Sequence, residues 1–145
     1  MTKLTNYKKN NIPVIITAMV ILFLASCAQK ISFLTSSVVP AATGAVKVKK
    51  DGNKNYAISV DLSNLAEVSR LQPPRQVYVV WMETAEQAAK NIGQIKSSSG
   101  MLSSKLKASF ETVSPVKPSK IFITAEDDAG IQYPGPMVVL STDRF

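Results

Sequence analysis

The chain of 145 residues contains no histidine and a single cysteine, Cys27. Without histidine, neither a Ser-His-Asp triad nor a cysteine–histidine nucleophile pair can form. Zinc and copper sites that depend on imidazole are excluded for the same reason. Gly93 and Gly100 are isolated, so the sequence also lacks a glycine-rich phosphate loop. We therefore expect no metal and no cofactor, and carboxylates are the main reactive groups that remain.

The sequence also lacks an apolar run long enough to cross a membrane as a helix, which takes about 20 residues. The run from Ile12 to Leu24 is shorter and contains Pro13 near its start. Three lysines and no acidic residue precede it. A basic start followed by a short apolar run is typical of a secretory signal peptide.

The end of this run resembles the lipobox of bacterial lipoproteins. Leu24, Ala25 and Ser26 precede Cys27, in the order of a branched residue, two small residues and a cysteine. The resemblance implies that a signal peptidase recognises the first three residues and that Cys27 carries a lipid through a thioether. In that family the next residue influences sorting, and Ala28 favours the outer membrane over the inner membrane. We therefore predict a lipid-anchored protein of the cell envelope that faces the periplasm or the cell surface.

Removal of a leader of residues 1–26 leaves a chain of the size of one domain. The leader holds three of the 17 basic residues and none of the 10 acidic ones, so the net charge falls from +7 to +4. This modest charge is scattered, which argues against nucleic acid as a partner. Small residues, proline and glycine predict a lipidated tether over residues 27–43 and a single domain over 44–145. The apolar residues 31–34 have two interpretations, contact with the bilayer surface or a first edge strand.

From residue 44 onward, apolar and polar residues alternate as in half-buried β-strands. Asp51-Gly52-Asn53 predicts a hairpin turn, and residues 76–83, apolar on both faces, predict a central strand. Residues 63–71 and 84–90 can each hold a short helix or helical turn. About six to eight strands predict an all-β fold, an antiparallel immunoglobulin-like β-sandwich. We expect the other strands over residues 46–49, 56–62, 91–96, 104–111, 120–126 and 137–141.

Two segments of this region resemble the extracytoplasmic C-terminal domain of anti-sigma-K factors. Residues 71–82 resemble its leucine- and proline-rich turn and Tyr-x-x-Trp strand, and residues 123–140 resemble its closing segment. The resemblance spans about residues 46–141 and implies an immunoglobulin-like sandwich with a sensing or binding surface, but it carries over no functional residue. The family's zinc-binding motif needs histidine, and a signal peptide stands where its sigma-binding region would be. We therefore expect no sigma factor as a direct partner.

Tyr78, Phe122 and Tyr133 form the candidate binding surface of the predicted sandwich. Alternation along residues 76–83 places Tyr78 on the face opposite Trp81, and a tryptophan among valines is typical of the core. An exposed aromatic patch would engage an envelope protein or a glycan. The acidic residues 126–128 are typical of a solvated turn rather than of a calcium site.

These features together predict a non-catalytic binding, accessory or sensing module. The alternative is a small hydrolase of envelope glycans that uses two carboxylates, Glu83 with Glu86 or Glu126 with Asp128. Glycoside hydrolysis needs two carboxyl groups about 5 to 9.5 Å apart across a cleft. The positions of these side chains in the folded protein therefore bear on the choice between the two functions.

Overall fold

The computed structural model describes residues 28–95 and 107–145 and shows an all-β protein. Within these ranges, eight strands form two four-stranded antiparallel sheets that pack face to face as a sandwich, which confirms the predicted fold class. The strands are β1 Gln29–Ser32, β2 Thr43–Lys50, β3 Tyr56–Ser63, β4 Val77–Glu83, β5 Lys90–Ile95, β6 Lys107–Ser114, β7 Lys120–Glu126 and β8 Val138–Ser141.

The first sheet has the strand order β1-β2-β3-β6, and the second has the order β5-β4-β7-β8. The chain crosses from one sheet to the other after β3, after β5 and again after β6. Such crossings are the Greek-key connections of immunoglobulin-like sandwiches. Strand β4 lies between β5 and β7, as its apolar residues on both faces predict.

The hairpin between β2 and β3 forms where the sequence predicts it. The two strands pair without a break from Thr43↔Ser63 to Lys50↔Tyr56. In the turn, the Oδ1 atom of Asp51 accepts hydrogen bonds of 2.8 Å from two backbone amides, those of Asn53 and Asn55. The aspartate therefore satisfies the backbone groups that the reversal of the chain leaves unpaired.

The main core lies between the two sheets. The described residues include no cysteine, so burial of apolar side chains and backbone pairing hold the sandwich together. Each such side chain contributes roughly 1.5–3 kcal/mol when it is fully buried. The largest fully buried side chains in this layer are Val46, Ile58, Val60, Leu65, Tyr78, Val80, Ile95, Ile121, Ile123 and Leu140.

Of the two segments that can hold a helix, only the first forms a helical turn. Between β3 and β4, Val68–Arg70 form one 3-10 turn. After β4, the hydroxyl of Thr84 accepts hydrogen bonds from the amides of Glu86 and Gln87, as an N-cap does, but no helix follows. The chain instead enters β5 at Lys90, where sheet pairing with β4 begins. Residues 84–90 are too few for a helix to compete with this pairing.

The segment predicted as a free tether, residues 27–43, is part of the sandwich from residue 29 onward. Residues Gln29–Ser32 form β1 and pair with β2 as an edge strand. The next residues cross to the second sheet, where Phe33 forms a bridge with Thr142. Of the predicted edge strand over residues 31–34, Ile31 and Ser32 belong to β1 and Phe33 forms an isolated bridge.

Apolar side chains explain why this segment folds onto the domain. Val39 and Ala42 are buried in the main core, and Ile31 and Phe33 pack against it. Proline and small residues favour a linker only when nothing nearby can be buried, and here four side chains can be. Among the described residues the first strand of the sandwich therefore starts at Gln29, 15 residues before the predicted boundary at residue 44.

Two segments lie outside the described residues, 1–27 and 96–106. They contain the predicted signal peptide, the predicted lipobox Leu24–Cys27 and the turn expected at residues 97–100. Across residues 28–95 and 107–145, no helix is long and apolar enough to span a membrane.

Candidate functional site

An open cleft lies at the end of the sandwich where β1 ends and β2 begins, and we call it the end cleft. It has a volume of about 620 Å³ and is bounded by the loops before β2, before β4 and before β8. Its lining residues are Ser37, Val38, Val39, Pro40, Ala41, Ala66, Arg70, Leu71, Gln72 and Met137.

The loop before β2 shapes one wall of the end cleft. The buried hydroxyl of Ser36 accepts hydrogen bonds from the amides of Val38, at 3.2 Å, and Val39, at 2.8 Å. The amide of Ala42 in turn donates to the carbonyl oxygen of Val39 at 2.9 Å. This compact turn buries one valine in the core and leaves Pro40 exposed beside the cleft.

The loop before β4 shapes a second wall. Leu71 is buried, and the hydroxyl of Tyr78 donates a 2.9 Å hydrogen bond to the carbonyl oxygen of Ala66. The buried side chain of Tyr78 therefore fixes this loop to the main core. Arg70 lies at the surface, where its Nε atom is 3.0 Å from the carboxylate of Glu67.

The chemistry of the end cleft suits binding. Most of its lining is aliphatic, and Arg70 is the one ionisable side chain among the residues that line it. Concave, mainly apolar surfaces with a few polar groups are typical of ligand sites. General acid–base catalysis needs a titratable group within hydrogen-bond reach of the substrate, and none of the lining residues supplies a carboxylate.

The aromatic surface predicted from the sequence does not form as one patch. Tyr78 is 0% exposed and belongs to the main core. Burial raises the pKa of its hydroxyl to about 12, in line with its role as a donor to Ala66. The prediction for Tyr78 is wrong because its face of β4 is the one that packs against the first sheet.

Phe122 is also buried, on the outer face of the second sheet. Its ring stacks on that of Trp81, with the centroids 6.2 Å apart and an angle of 15° between the planes. The Nε1 atom of Trp81 donates a 2.7 Å hydrogen bond to Thr124 Oγ1. Trp81, Phe122 and Val79 form a second apolar cluster, separate from the main core, which we call the outer cluster. Trp81 is thus buried as predicted, but outside the layer between the sheets.

Residues 127–137, which we call the cover loop, fold over the outer cluster. The side-chain amide of Asn91 donates hydrogen bonds to two carbonyl oxygens of this loop, those of Ala129 at 2.8 Å and Ile131 at 3.0 Å. The amide of Gly135 donates to Glu126 Oε1 at 2.8 Å. A Cβ atom at this glycine would lie 2.6 Å from the same carboxylate, so a larger residue here would displace the Glu126 side chain.

Tyr133 lies on the cover loop and is 81% exposed. It is therefore the one residue of the predicted aromatic trio that solvent can reach. Met137, at the end of the same loop, lines the end cleft.

The candidate catalytic carboxylates are engaged in local contacts. Glu83 lies 3.0 Å from Arg144 and 3.9 Å from Lys120. The Oδ1 atom of Asp128 accepts a 2.8 Å hydrogen bond from the amide of Gly130, within its own turn. In the part of the chain that the structure describes, no group of three or more His, Cys, Asp or Glu side chains is placed to hold a metal ion.

Sequence reasoning missed the end cleft because its walls come from three separate loops. The signal available was weak: Val38 and Val39 are apolar residues inside a segment otherwise typical of a linker. Only the folding of β1 into the first sheet brings them beside Leu71 and Met137.

Fold and site together define a small antiparallel β-sandwich with an open cleft at one end and a loop-covered apolar cluster on one outer face. No family model, curated protein or solved structure matches the chain. The resemblances to lipoproteins and to anti-sigma-K factors therefore stay predictions.

Proposed function

We propose that this protein is a lipid-anchored component of the cell envelope, held through Cys27 in the outer membrane, and that it acts as a non-catalytic binding or accessory module. The end cleft is the binding site in this proposal. Its partner is an envelope protein or a glycan that presents an apolar group.

The position of β1 is the observation that carries the proposal. This strand begins at Gln29, two residues after Cys27, and every described strand follows it. Cleavage before Cys27 would therefore leave the sheets and the main core intact. A lipid on this cysteine would attach directly to a folded domain.

The start of β1 and the end cleft lie at opposite ends of the sandwich. Strand β1 starts at the end where the β2–β3 hairpin turns and runs toward the cleft. Strand β2 has eight residues, and a strand rises about 3.3 Å per residue, so the cleft lies roughly 25 Å from the anchored end. A partner in the periplasm or outside the cell could therefore reach it without steric conflict with the membrane.

Substitution of Cys27→Ser tests the anchor. We expect an unlipidated, uncleaved precursor, because the thiol that accepts the lipid is lost, and metabolic labelling with palmitate together with intact mass measures both effects. Ala28→Ser is the matched control, since it adds a hydroxyl one residue away and keeps the cysteine. A lipid-labelled product of normal size from Cys27→Ser would exclude the lipobox.

A photo-crosslinking residue in place of Ala41 tests the cleft, and it is introduced both into the anchored protein and into Cys27→Ser. In the anchored protein we expect a discrete crosslinked product, which is lost in the Cys27→Ser background because the chain no longer reaches its partner. A crosslinker at Glu111, which is exposed on the outer face of the first sheet, is the control. Equal crosslinking from both positions would contradict a binding role for the cleft.

A further inference from the structure

The end of the sandwich opposite the end cleft is the part of the domain nearest to the proposed anchor. Gln29 pairs with Val48, so Ala28 lies at the level of Lys49, one residue before the end of β2. Consecutive Cα atoms are 3.8 Å apart. A lipid on Cys27 would therefore hold this end, which we call the basal end, within a few ångströms of the bilayer surface.

Two loops form the basal end beside β1. Tyr56 pairs with Ser114, which places the β2–β3 turn, residues 51–55, next to the β6–β7 loop, residues 115–119. The backbone register alone makes these loops neighbours, since each directly follows or precedes the paired residues.

These loops and the adjoining strand end carry exposed lysines. Lys49, Lys50, Lys54 and Lys117 are all exposed, and across residues 28–95 and 107–145 none of the four forms an ion pair. The nearby carboxylate of Asp51 accepts two backbone hydrogen bonds within its own turn. Asp51 offsets one of the four positive charges, and Lys50 also lies over the ring of Tyr56, 5.7 Å from its centroid. These loops and the strand end therefore keep a local excess of positive charge.

An apolar side chain accompanies this charge. Val116, next to Lys117 at the tip of the β6–β7 loop, is 45% exposed. At the end-cleft side of the molecule two cations are instead neutralised, because Arg70 pairs with Glu67 and Arg75 pairs with Asp127. A cluster of lysines beside a lipid anchor is attracted to the anionic headgroups of a membrane.

We propose that the basal end is a contact surface for anionic lipid headgroups, with Lys54 and Lys117 at its centre and Val116 at the level of the headgroups. This inference rests on the proposed lipid anchor. The anchor confines this end to the membrane, the lysines orient the domain on it, and the end cleft then points away from the bilayer.

The experiment uses the full chain, expressed in a bacterial host, purified in detergent and reconstituted into vesicles. One set contains equal parts of phosphatidylglycerol and phosphatidylcholine, and the other contains phosphatidylcholine alone. A water-soluble amine-acetylating reagent is added, and mass spectrometry of peptides gives the reaction rate of each lysine. Lys107, exposed at the start of β6 on the end-cleft side, is the matched control.

We expect Lys54 and Lys117 to react about fivefold more slowly in the anionic vesicles than in the neutral ones. Contact with the headgroups stabilises each lysine by about 1 kcal/mol, which leaves about a fifth of it free to react. The rate at Lys107 should be the same in both. Equal rates at Lys54 and Lys117 in the two vesicle types, with acylated Cys27 confirmed by mass, would overturn this inference alone. A chain without acyl groups on Cys27 would overturn the proposed function and this inference with it.

Discussion

The two sheets of the sandwich differ in what their outer faces meet. The outer face of the first sheet is solvated and mostly polar, and an exposed ion pair joins Lys47 to Asp61 across neighbouring strands at 2.9 Å. The outer face of the second sheet carries the outer cluster, in which Trp81 and Phe122 are buried beneath the cover loop. The first sheet buries apolar side chains only against the second sheet. The second sheet buries them on both faces, against the first sheet and against the cover loop.

This difference shows how a small domain adds buried surface without adding a layer. A loop of 11 residues, 127–137, replaces a helix or a third sheet because its carbonyl groups are held by Asn91 and its backbone by Glu126. The loop contributes Ile131 to the cluster. An apolar outer face therefore indicates that something covers it, but the cover need not be a regular element.

Replacement of Trp81 with alanine is the strongest test of this comparison. We expect the free energy of unfolding to fall by about 3–5 kcal/mol, the usual cost of deleting a buried aromatic side chain, although the residue lies outside the main core. Urea unfolding followed by far-ultraviolet circular dichroism measures the change. The contrast between the sheets fails if the loss is below about 1 kcal/mol.

Replacement of Tyr78 with phenylalanine tests the opposite face of the same strand. At neutral pH we expect a loss of about 1 kcal/mol, because the carbonyl oxygen of Ala66 loses its donor while the ring still fills the core. The unfolding midpoint in urea measures this loss. An unchanged midpoint would mean that the hydroxyl contributes nothing to holding the loop beside the end cleft.

The hydroxyl of Tyr78 also makes the stability depend on pH. Burial raises its pKa from 10.0 in the unfolded chain to about 12 in the fold. As the pH rises, the unfolded chain therefore loses this proton before the folded chain does. The contribution of Tyr78 to the free energy of unfolding is fully present below pH 10. It falls by about 3 kcal/mol as the pH rises to 12. Tyr78→Phe should lack this loss, and the difference between the two proteins removes the effect of the lysines that titrate in both.

Replacement of Lys47 with alanine should have the smallest effect. Both partners of its ion pair are at least half exposed, and such pairs contribute about 0–1 kcal/mol. We expect a change below about 0.5 kcal/mol in the same urea experiment. A loss as large as that of Tyr78→Phe would show that the outer face of the first sheet is more than a solvated surface.

Local patterns in the sequence were enough to predict most of the strands. The strand Lys120–Glu126 and the turn at Asp51 occur where alternation and turn residues predict them, because both depend on neighbours along the chain. Strand β5 starts one residue earlier than expected, at Lys90, because its pairing with β4 continues to Met82. Such differences at the ends arise from pairing between strands.

Other features required contacts between distant segments. The composition of residues 28–43 predicts a linker, yet Ile31 and Phe33 fold against the domain because β2 and Thr142 offer them partners. Alternation likewise separates Tyr78 from Trp81, but it does not tell which face meets the first sheet. For this reason the prediction that Tyr78 is exposed is wrong.

The order of residues along the chain established the class of fold, the strands and the lack of histidine chemistry, because each depends on composition or on a period of two residues. Tertiary structure alone decided where the sandwich begins, which aromatic side chains solvent can reach and that three loops enclose a cleft. These three features depend on contacts between segments that are far apart in the sequence. A side chain gains the free energy of burial only when such segments come together.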